Sequence, residues 1–505
     1  MADIRVAVIG GGPGGLVTLK TLLEASTPER RVEACLFESE EDIGGTFKYR
    51  SYENAELVSS KQLTAFSDHR FSLNSPDHIS LPQYVDYLTS YVDHFNLAPN
   101  IKLRCCVSSI EPLDLAEHKW KHRVKYLDTA SDQELWFDCS HVAICTGLHV
   151  EPNIPDIKGI ENVKGDVFHS SHYKARSQLA GRDVIILGCG ETAMDIAYES
   201  IKAEAKSVTM CYRTGFLSFP KALSRFQVFG KEFKGGLPID GLITNLFETA
   251  YVHRAIAKSR LRWFVSDFVI KRVLWFLTGT QAGMNQHVGG LPPERLGRAF
   301  LDFIGNKYVD PPEDANSDKW VDTSTFPFCV DSTGTVIFES RPERKDWQRM
   351  KNKSLRPNCV IFCTGYRQAF KWLHPSYPTA DQTNVRNIIH SSYPDIAFIG
   401  FVRPGVGAIP PIAEQQAMWW TALLLGHMPS LPTSPPHYHL LATSSSRIQY
   451  GVDHSAYMST LARDFGGAPG LLQLWRAHGW EVLLVYCFGA SFVTLYRLVG
   501  PFASP

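Results

Sequence analysis

The sequence predicts an α/β protein in which two dinucleotide-binding units share one chain, the second inserted into the first. Three observations carry this expectation. A glycine-rich turn lies between an apolar strand and a helix at the N-terminus, and a second copy of that unit starts near Asp183. Two apolar runs ending in Cys-Thr-Gly bracket the copy, at His141–Gly147 and Asn358–Gly365.

Length and charge set the frame. A chain of 505 residues holds roughly three domains' worth of sequence, enough to bury cores without disulfides or metals. Lys and Arg total 51, as do Asp and Glu, so the chain as a whole lacks the basic footprint of a nucleic-acid binder. A hydrophobic content of 44% excludes a disordered chain. Eleven cysteines without a CxxC, several of them inside apolar runs, read as buried thiols in a reducing, cytoplasmic setting. No metal site is expected: Cys359 and Cys363 alternate with apolar residues as in a strand. The N-terminal run passes directly into glycines without a leader's apolar core, and no run reaches the length of a membrane span. Val482–Tyr496, fifteen residues without a charge, reads as a buried terminal segment.

The first unit runs Ile4–Ile9, then Gly10-Gly11-Gly12-Pro13-Gly14-Gly15, then a helix from Leu16. In a G-x-G-x-x-G turn the first glycine makes the bend. The second admits a pyrophosphate to the backbone, and the third lets helix approach strand. The helix N-terminus then offers N–H groups to the phosphates. The next strand, Val32–Phe37, ends in Glu38, 23 residues beyond Gly15, where a ribose hydroxyl needs an acceptor. Gly44-Gly45-Thr46-Phe47 resembles the GG-x-W segment along which flavoproteins with two dinucleotide domains continue toward the flavin, so FAD is the expected ligand.

In the second unit Asp183–Leu187 leads into Gly188-Cys189-Gly190-Glu191-Thr192-Ala193, with Ala193 small enough to take the third glycine's place. Its next strand, Ser207–Tyr212, ends in Arg213 rather than an acid. A guanidinium there suits a 2′-phosphate, so NADPH is expected over NADH. The small residues Thr146, Thr364 and Gly365 at the two bracketing strand ends allow a backbone to approach a ligand or a crossing segment.

Together these motifs resemble the flavin-containing monooxygenases of the class B, dimethylaniline monooxygenase type. Val163–Tyr173 is similar to that family's F-x-G-x-x-x-H-x-x-x-Y/W signature at Gly165, His169 and Tyr173, with Val163 in place of the opening aromatic. Ser59-Ser60-Lys61 with Phe66-Ser67-Asp68 resembles the family's N-x-S-K…F-S-D stretch, except that Val58 stands where the family has Asn beside the flavin. Phe398–Phe401 and Gly407–Gln415 resemble the C-terminal flavin-contacting strand and helix, and Tyr496–Pro501 the end of the family's soluble body.

The resemblance implies hydride transfer from NADPH to flavin, capture of O2 as a C4a-(hydro)peroxide, and insertion of one oxygen into a small organic molecule. Nitrogen or sulfur is favoured as the acceptor, because Tyr173-Lys174 departs from the W-P/D ending of Baeyer–Villiger enzymes. A Baeyer–Villiger or tailoring oxygenase is the nearest alternative. A same-fold reductase or a flavin-binding non-enzyme is less favoured. Cofactor contacts are expected from Gly10, Gly12, Pro13, Gly14, Gly15, Glu38, Gly45, Thr46, Phe47, Val58 and Thr146 in the first half. The remainder are His169, Gly188, Gly190, Glu191, Thr192, Ala193, Arg213, Thr364, Gly365 and Gln415. Ser59, Ser60 and Lys61 are the candidates for a catalytic part.

The expected division is 1–155 for the first part of the FAD domain and 156–355 for the NADPH domain, with an insertion at about 216–355. Residues 356–505 complete the FAD domain and its cap. A basic, aromatic stretch at 255–277 has the composition of a segment that contacts a membrane surface peripherally.

Overall fold

The computed structural model describes residues 4–213 and 321–503, apart from 406, 429, 434–436, 440–449 and 489–491, together with 222–223, 226–228, 231–233, 237–238 and 240. Within them the continuous apolar runs become strands covered on both faces, the usual consequence of parallel sheets flanked by helices. The first sheet begins with β1 (Ile4–Ile9), β2 (Val32–Phe37), β3 (Ile101–Lys102) and β4 (His141–Ile144). The chain then builds a second sheet from β5 (Asp166–His169), β6 (Asp183–Leu187), β7 (Ser207–Cys211), β8 (Val321–Ser324) and β9 (Cys359–Phe362). It returns to the first sheet with β10 (Ile389–His390) and β11 (Tyr393–Phe398).

The strand orders are β10-β11-β4-β1-β2-β3 and β8-β7-β6-β9-β5. In each sheet the first Rossmann strand has parallel neighbours on both sides: Val8 pairs with Leu36 and Ala143, and Ile186 with Met210 and Ile361. Strand order reverses at such a position, which opens a crevice at the carboxyl ends. An antiparallel sheet of Cys105–Pro112, His122–Asp128 and Gln133–Cys139 covers one face of the first sheet and shares its core through Phe37, Val142 and Phe398.

The principal helices are α1 (Pro13–Glu24), α2 (Leu81–His94), α3 (Glu191–Lys202), α4 (Ile409–Leu424), α5 (His454–Asp464) and α6 (Leu471–Phe488). Helix α2 starts at a capping box, Ser80 with Gln83, which satisfies N–H groups that the first turn leaves open. Helix α4 is apolar almost all round because it is buried all round. Its Trp419 and Trp420 lie in the core, and their indole N–H groups still find Asp464 at 2.9 Å and the Pro394 carbonyl at 3.0 Å.

The expected burial of the Val482–Tyr496 segment holds only in part. Tyr486, Val493 and Tyr496 are buried, but α6 exposes Leu484, and ahead of it Leu471, Leu472, Trp475 and Trp480. Non-helical backbone at Gly479 kinks the helix, so one apolar stripe cannot stay on the core along its whole length. No helix among the described residues is long and apolar enough to cross a membrane. The 255–277 stretch and most of the expected insertion lie outside the described residues.

The core also holds uncharged histidines. Burial pushes His141 and His454 down to about 4 from the ordinary 6.5. The unfolded chain therefore binds more protons below 6.5, and the contribution of each ring is complete above 6.5 and lost as pH falls toward 4. Glu414, raised by burial to about 7, opposes this between about 7 and the ordinary carboxylate range. Denaturant titrations across pH 6.5 to 4 should show stability falling with acid. Replacing His454 by Phe should flatten that slope by up to about 1.4 kcal/mol per pH unit.

Candidate functional site

The first glycine turn is closed by contacts that only a backbone can make. A Cβ on Gly15 would sit 1.8 Å from the Gly10 carbonyl oxygen, so the third glycine is what lets α1 lie against β1. The turn packs on Gly44-Gly45: the Gly44 N–H donates to the Gly11 carbonyl at 3.0 Å, and a Cβ on Gly45 would lie 3.1 Å from Gly12 Cα. Pro13 occupies the first turn of α1, where its missing N–H has no intrahelical partner to lose. Thr46 and Phe47 begin a single helical turn, and Phe47 packs edge-on to Tyr84 of α2.

Glu38 stands at the end of β2 as the sequence predicts. It is buried, and it accepts the Gly11 N–H at 2.5 Å and the Glu40 N–H at 2.9 Å. These bonds set the carboxylate beneath the glycine turn. Nearby, Gly14 approaches Ala413 of α4, and Gly400 donates its N–H to Gln416 at 2.7 Å. The neighbouring Gln415 is completely buried, and its amide oxygen and nitrogen have no hydrogen-bond partner. The buried hydroxyl of Thr146, just beyond β4, has none either. A buried amide without partners costs about 1–3 kcal/mol, so such groups mark where a polar ligand completes the site. A backbone-lined cleft, an acid at the ribose position and unpaired donors at α4 and Thr146 fit an FAD molecule.

The second turn repeats the first with a different charge. Gly188 has φ +130°, and a Cβ there would lie 2.3 Å from the Cys363 carbonyl. Gly190 opens onto free space and caps α3, whose first residues are Glu191, Thr192 and the fully buried Ala193. Arg213 is exposed just past β7. Arg344, which sequence reasoning missed, holds that corner: it donates to the Tyr212 and Arg213 carbonyls at 2.9 and 3.0 Å, lies 4.2 Å over the Tyr212 ring and pairs with Asp346. Its distance of more than a hundred residues from Arg213 left no local signal. An open turn at a helix N-terminus with an exposed guanidinium beside it fits the phosphates of NADPH.

His169 ends β5 fully buried. Its Nδ1 accepts the Ser171 N–H at 3.2 Å, and its Nε2 lies 3.0 Å from the Gly365 carbonyl, which requires the proton on Nε2. Burial pushes this imidazole below its ordinary value, so it stays neutral. Thr364 bonds through its hydroxyl to the Asn153 carbonyl. His169, Thr364 and Gly365 are thus brought together where the two chain crossings meet.

The candidates for a catalytic part are placed otherwise. The Lys61 ammonium is buried among the carbonyls of Ser72, Leu73 and Ser75, at 3.3 and 2.9 Å from the first two. It clamps the 72–75 loop. Ser59 bonds to the Thr64 hydroxyl at 2.7 Å, and Ser60 is buried with its N–H on Asp240 at 2.6 Å. Val58 is 47% exposed. Among the described residues no group of three or more His, Cys, Asp or Glu is arranged to hold a metal ion.

Comparison with known proteins agrees with this geometry. A family profile described as FMO-like, flavin-binding monooxygenase-like, matches residues 3–275. Monooxygenase PC-14 of Penicillium crustosum is 40% identical, covering 99% of this chain and 90% of its own. Dimethylaniline monooxygenase (N-oxide-forming) 2 of Pan troglodytes is 25% identical over 98% of this chain and 89% of its own. Among solved structures, S-allyl-L-cysteine S-oxygenase from Allium sativum superposes with a TM-score of 0.59 at 17% identity, covering 92% of this chain and 88% of that one.

The two turns make separate predictions. Gly15→Ala should yield protein without bound flavin, read from its visible absorbance, because the new methyl meets the Gly10 carbonyl. Arg213→Ala should raise KM for NADPH by about tenfold or more while leaving that for NADH nearly unchanged, in line with a lost charge-assisted pair. Steady-state kinetics with both nucleotides checks the difference.

Proposed function

The chain belongs to the flavin-binding monooxygenase-like family and is an FAD- and NADPH-dependent monooxygenase; on that premise we propose that it oxygenates nitrogen or sulfur of a small organic substrate. The observation that carries this reading is Tyr173-Lys174 at the end of the signature. The Lys174 ammonium is occupied by the Tyr49 and Ser51 carbonyls, at 3.1 and 3.0 Å, in place of the W-P/D ending associated with ketone oxygenation. A relative across nearly the whole chain is named as N-oxide-forming, and a structural neighbour as an S-oxygenase.

Bound flavin supplies the redox chemistry, taking hydride from NADPH and activating O2 for transfer of one oxygen atom. The protein's part is placement. Glu38 would hold the FAD ribose, and the backbone of Gly10, Gly12, Gly14 and Gly15 would receive its pyrophosphate. Gly45, Thr46 and Phe47 would flank its path, and Thr146 and Gln415 would hydrogen-bond to it. Gly188, Gly190 and the α3 N-terminus would receive the NADPH phosphates, with Arg213 on the 2′-phosphate. A lone pair on nitrogen or sulfur attacks without a side-chain base, so no Ser, His or Lys need act on the substrate. Ser59 and Ser60 line the turn before Lys61 and serve it structurally.

The domain reading that accompanies this is 1–155 and 356–505 for the FAD half and 156–355 for the NADPH half. The interleaved strand orders of the two sheets support it. Eleven free thiols support a reducing, cytoplasmic setting.

Anaerobic reduction with NADPH, followed by admission of O2 in the presence of tertiary amines, thioethers or cyclic ketones, tests the substrate class. Mass analysis should find N-oxide or S-oxide products. Lactone or ester from the ketones, with amines and sulfides untouched, would overturn the nitrogen or sulfur assignment.

A further inference from the structure

Helix α3, which follows the second glycine turn, carries two acids four residues apart on one face, Asp195 and Glu199. Both are almost wholly buried, at 3% and 1% exposure. Carboxylates inside a helix that packs on its own sheet are costly unless hydrogen-bonded there. Of the side chains Tyr52, Asn54 and Arg176 that donate to them, the first two come from the flavin half. The Tyr52 hydroxyl donates to Asp195 at 2.5 Å, and the Asn54 amide donates to Glu199 at 3.1 Å. Arg176 closes on Glu199 with two bonds of 2.7 and 3.0 Å, and its own N–H donates to Glu53 at 2.9 Å. The Tyr52 ring leaves its own half and packs against the core of the second sheet, 5.4 Å from Tyr173.

The clasp joins the two cofactor turns by a short rigid path. On one side, Tyr52 follows the Gly44–Tyr49 segment that is bonded to the first turn through Gly11. On the other side, Asp195 lies one turn into the helix that Gly190 caps. The Glu53 N–H to the Lys174 carbonyl, at 2.7 Å, and the Lys174 ammonium on Tyr49 and Ser51 complete the seam. This placement of the halves brings donors from the flavin half onto both acids, and a shift between the halves would draw those donors away from buried carboxylates.

We propose that Asp195 and Glu199 are positioning residues for hydride delivery: clasped by Tyr52 and Asn54, they set the separation of the two dinucleotide turns. The step served moves one hydride, a proton with its electron pair, from the nicotinamide of NADPH, which leaves as NADP+, to oxidised flavin, which takes up the pair. The inference rests on the family's two cofactors and is independent of which substrate atom receives oxygen.

Tyr52→Phe keeps the ring packing and removes the hydroxyl; Glu199→Gln keeps the shape and removes the charge. Hydrogen exchange at 49–54 and 173–178 should rise about fivefold or more in each variant, in flavin-loaded and flavin-stripped protein alike. In anaerobic rapid mixing with NADPH and with its C4-deuterated form, the limiting rate of flavin reduction should fall about tenfold or more with an altered isotope effect. Reoxidation of dithionite-reduced enzyme by O2 should stay within about twofold of wild type. Faster exchange with an unchanged reduction rate in both variants overturns the proposal, as does equal slowing of reduction and reoxidation. If Tyr52→Phe does not load flavin, Glu199→Gln decides by the same measurements.

Discussion

The carbonyl oxygen of Gly365 receives two N–H groups, from Asn153 at 2.8 Å and from His169 Nε2 at 3.0 Å. One donor belongs to the segment by which the chain leaves the first sheet, the other to the edge strand of the second. Around this point Glu151–Pro152 pairs antiparallel with Tyr366–Arg367, and Arg367 bonds to the Asn153 side chain at 2.6 Å. A chain that builds one sheet inside another must cross between them twice. Bonding the crossings to each other turns two single-strand linkers into one ribbon. The geometry of both cofactor clefts depends on that ribbon, since each first strand ends in a glycine turn packed on a crossing's start. Gly10 lies against the Cys145 carbonyl, and Gly188 against that of Cys363.

Beyond the pairing of β11 with β4, the C-terminal part is tied to the first sheet's helix α1 by charge. Lys20 of α1, Asp68, Glu414 of α4 and Arg497 meet in one buried cluster. Arg497 reaches Asp68 at 2.6 Å and the Ser67 hydroxyl at 3.2 Å, and Lys20 also pairs with Asp68. Burial alone would raise the Asp68 carboxyl, but the two cations outweigh it and hold it below the usual range. Glu414, raised by burial and by Asp68 to about 7, accepts the Ser67 N–H and hydroxyl. Removing one member of such a cluster strands the others, which costs more than any one pair contributes. The Phe66-Ser67-Asp68 stretch and the terminal Tyr496-Arg497 are therefore two ends of the same structural device.

The parts of the molecule legible in its sequence are those where chemistry is local. A glycine turn, the strand before it and the acid or guanidinium after the next strand all fall within about forty residues, and each constrains the backbone through sterics that any reader of the sequence can apply. Gln415, by contrast, came from resemblance alone, and its reason is visible only as a buried amide without partners. Lys61 reads in its motif as a charge offered near a ligand, and the structure sets its ammonium on backbone carbonyls. Its three carbonyl partners come from a loop whose path no periodicity describes. Arg344, Glu414 and the Tyr52–Asp195 pair were illegible because their partners are separated by more than a hundred residues.

A chain with equal numbers of acids and bases binds two polyanionic cofactors because charge acts here at short range. The starts of α1 and α3 offer phosphates backbone N–H groups, which carry no formal charge and need none. On the proposed reading, the distinction between the two cofactors would rest on one side chain in each half. Glu38 is buried and bonded to the glycine turn, whereas Arg213 is exposed, with its backbone carbonyl held by Arg344. That asymmetry matches the two tasks. A resident cofactor is best held by a rigid, water-excluded acceptor, and a nucleotide that arrives reduced and departs oxidised is best met by a guanidinium free to reach and release it.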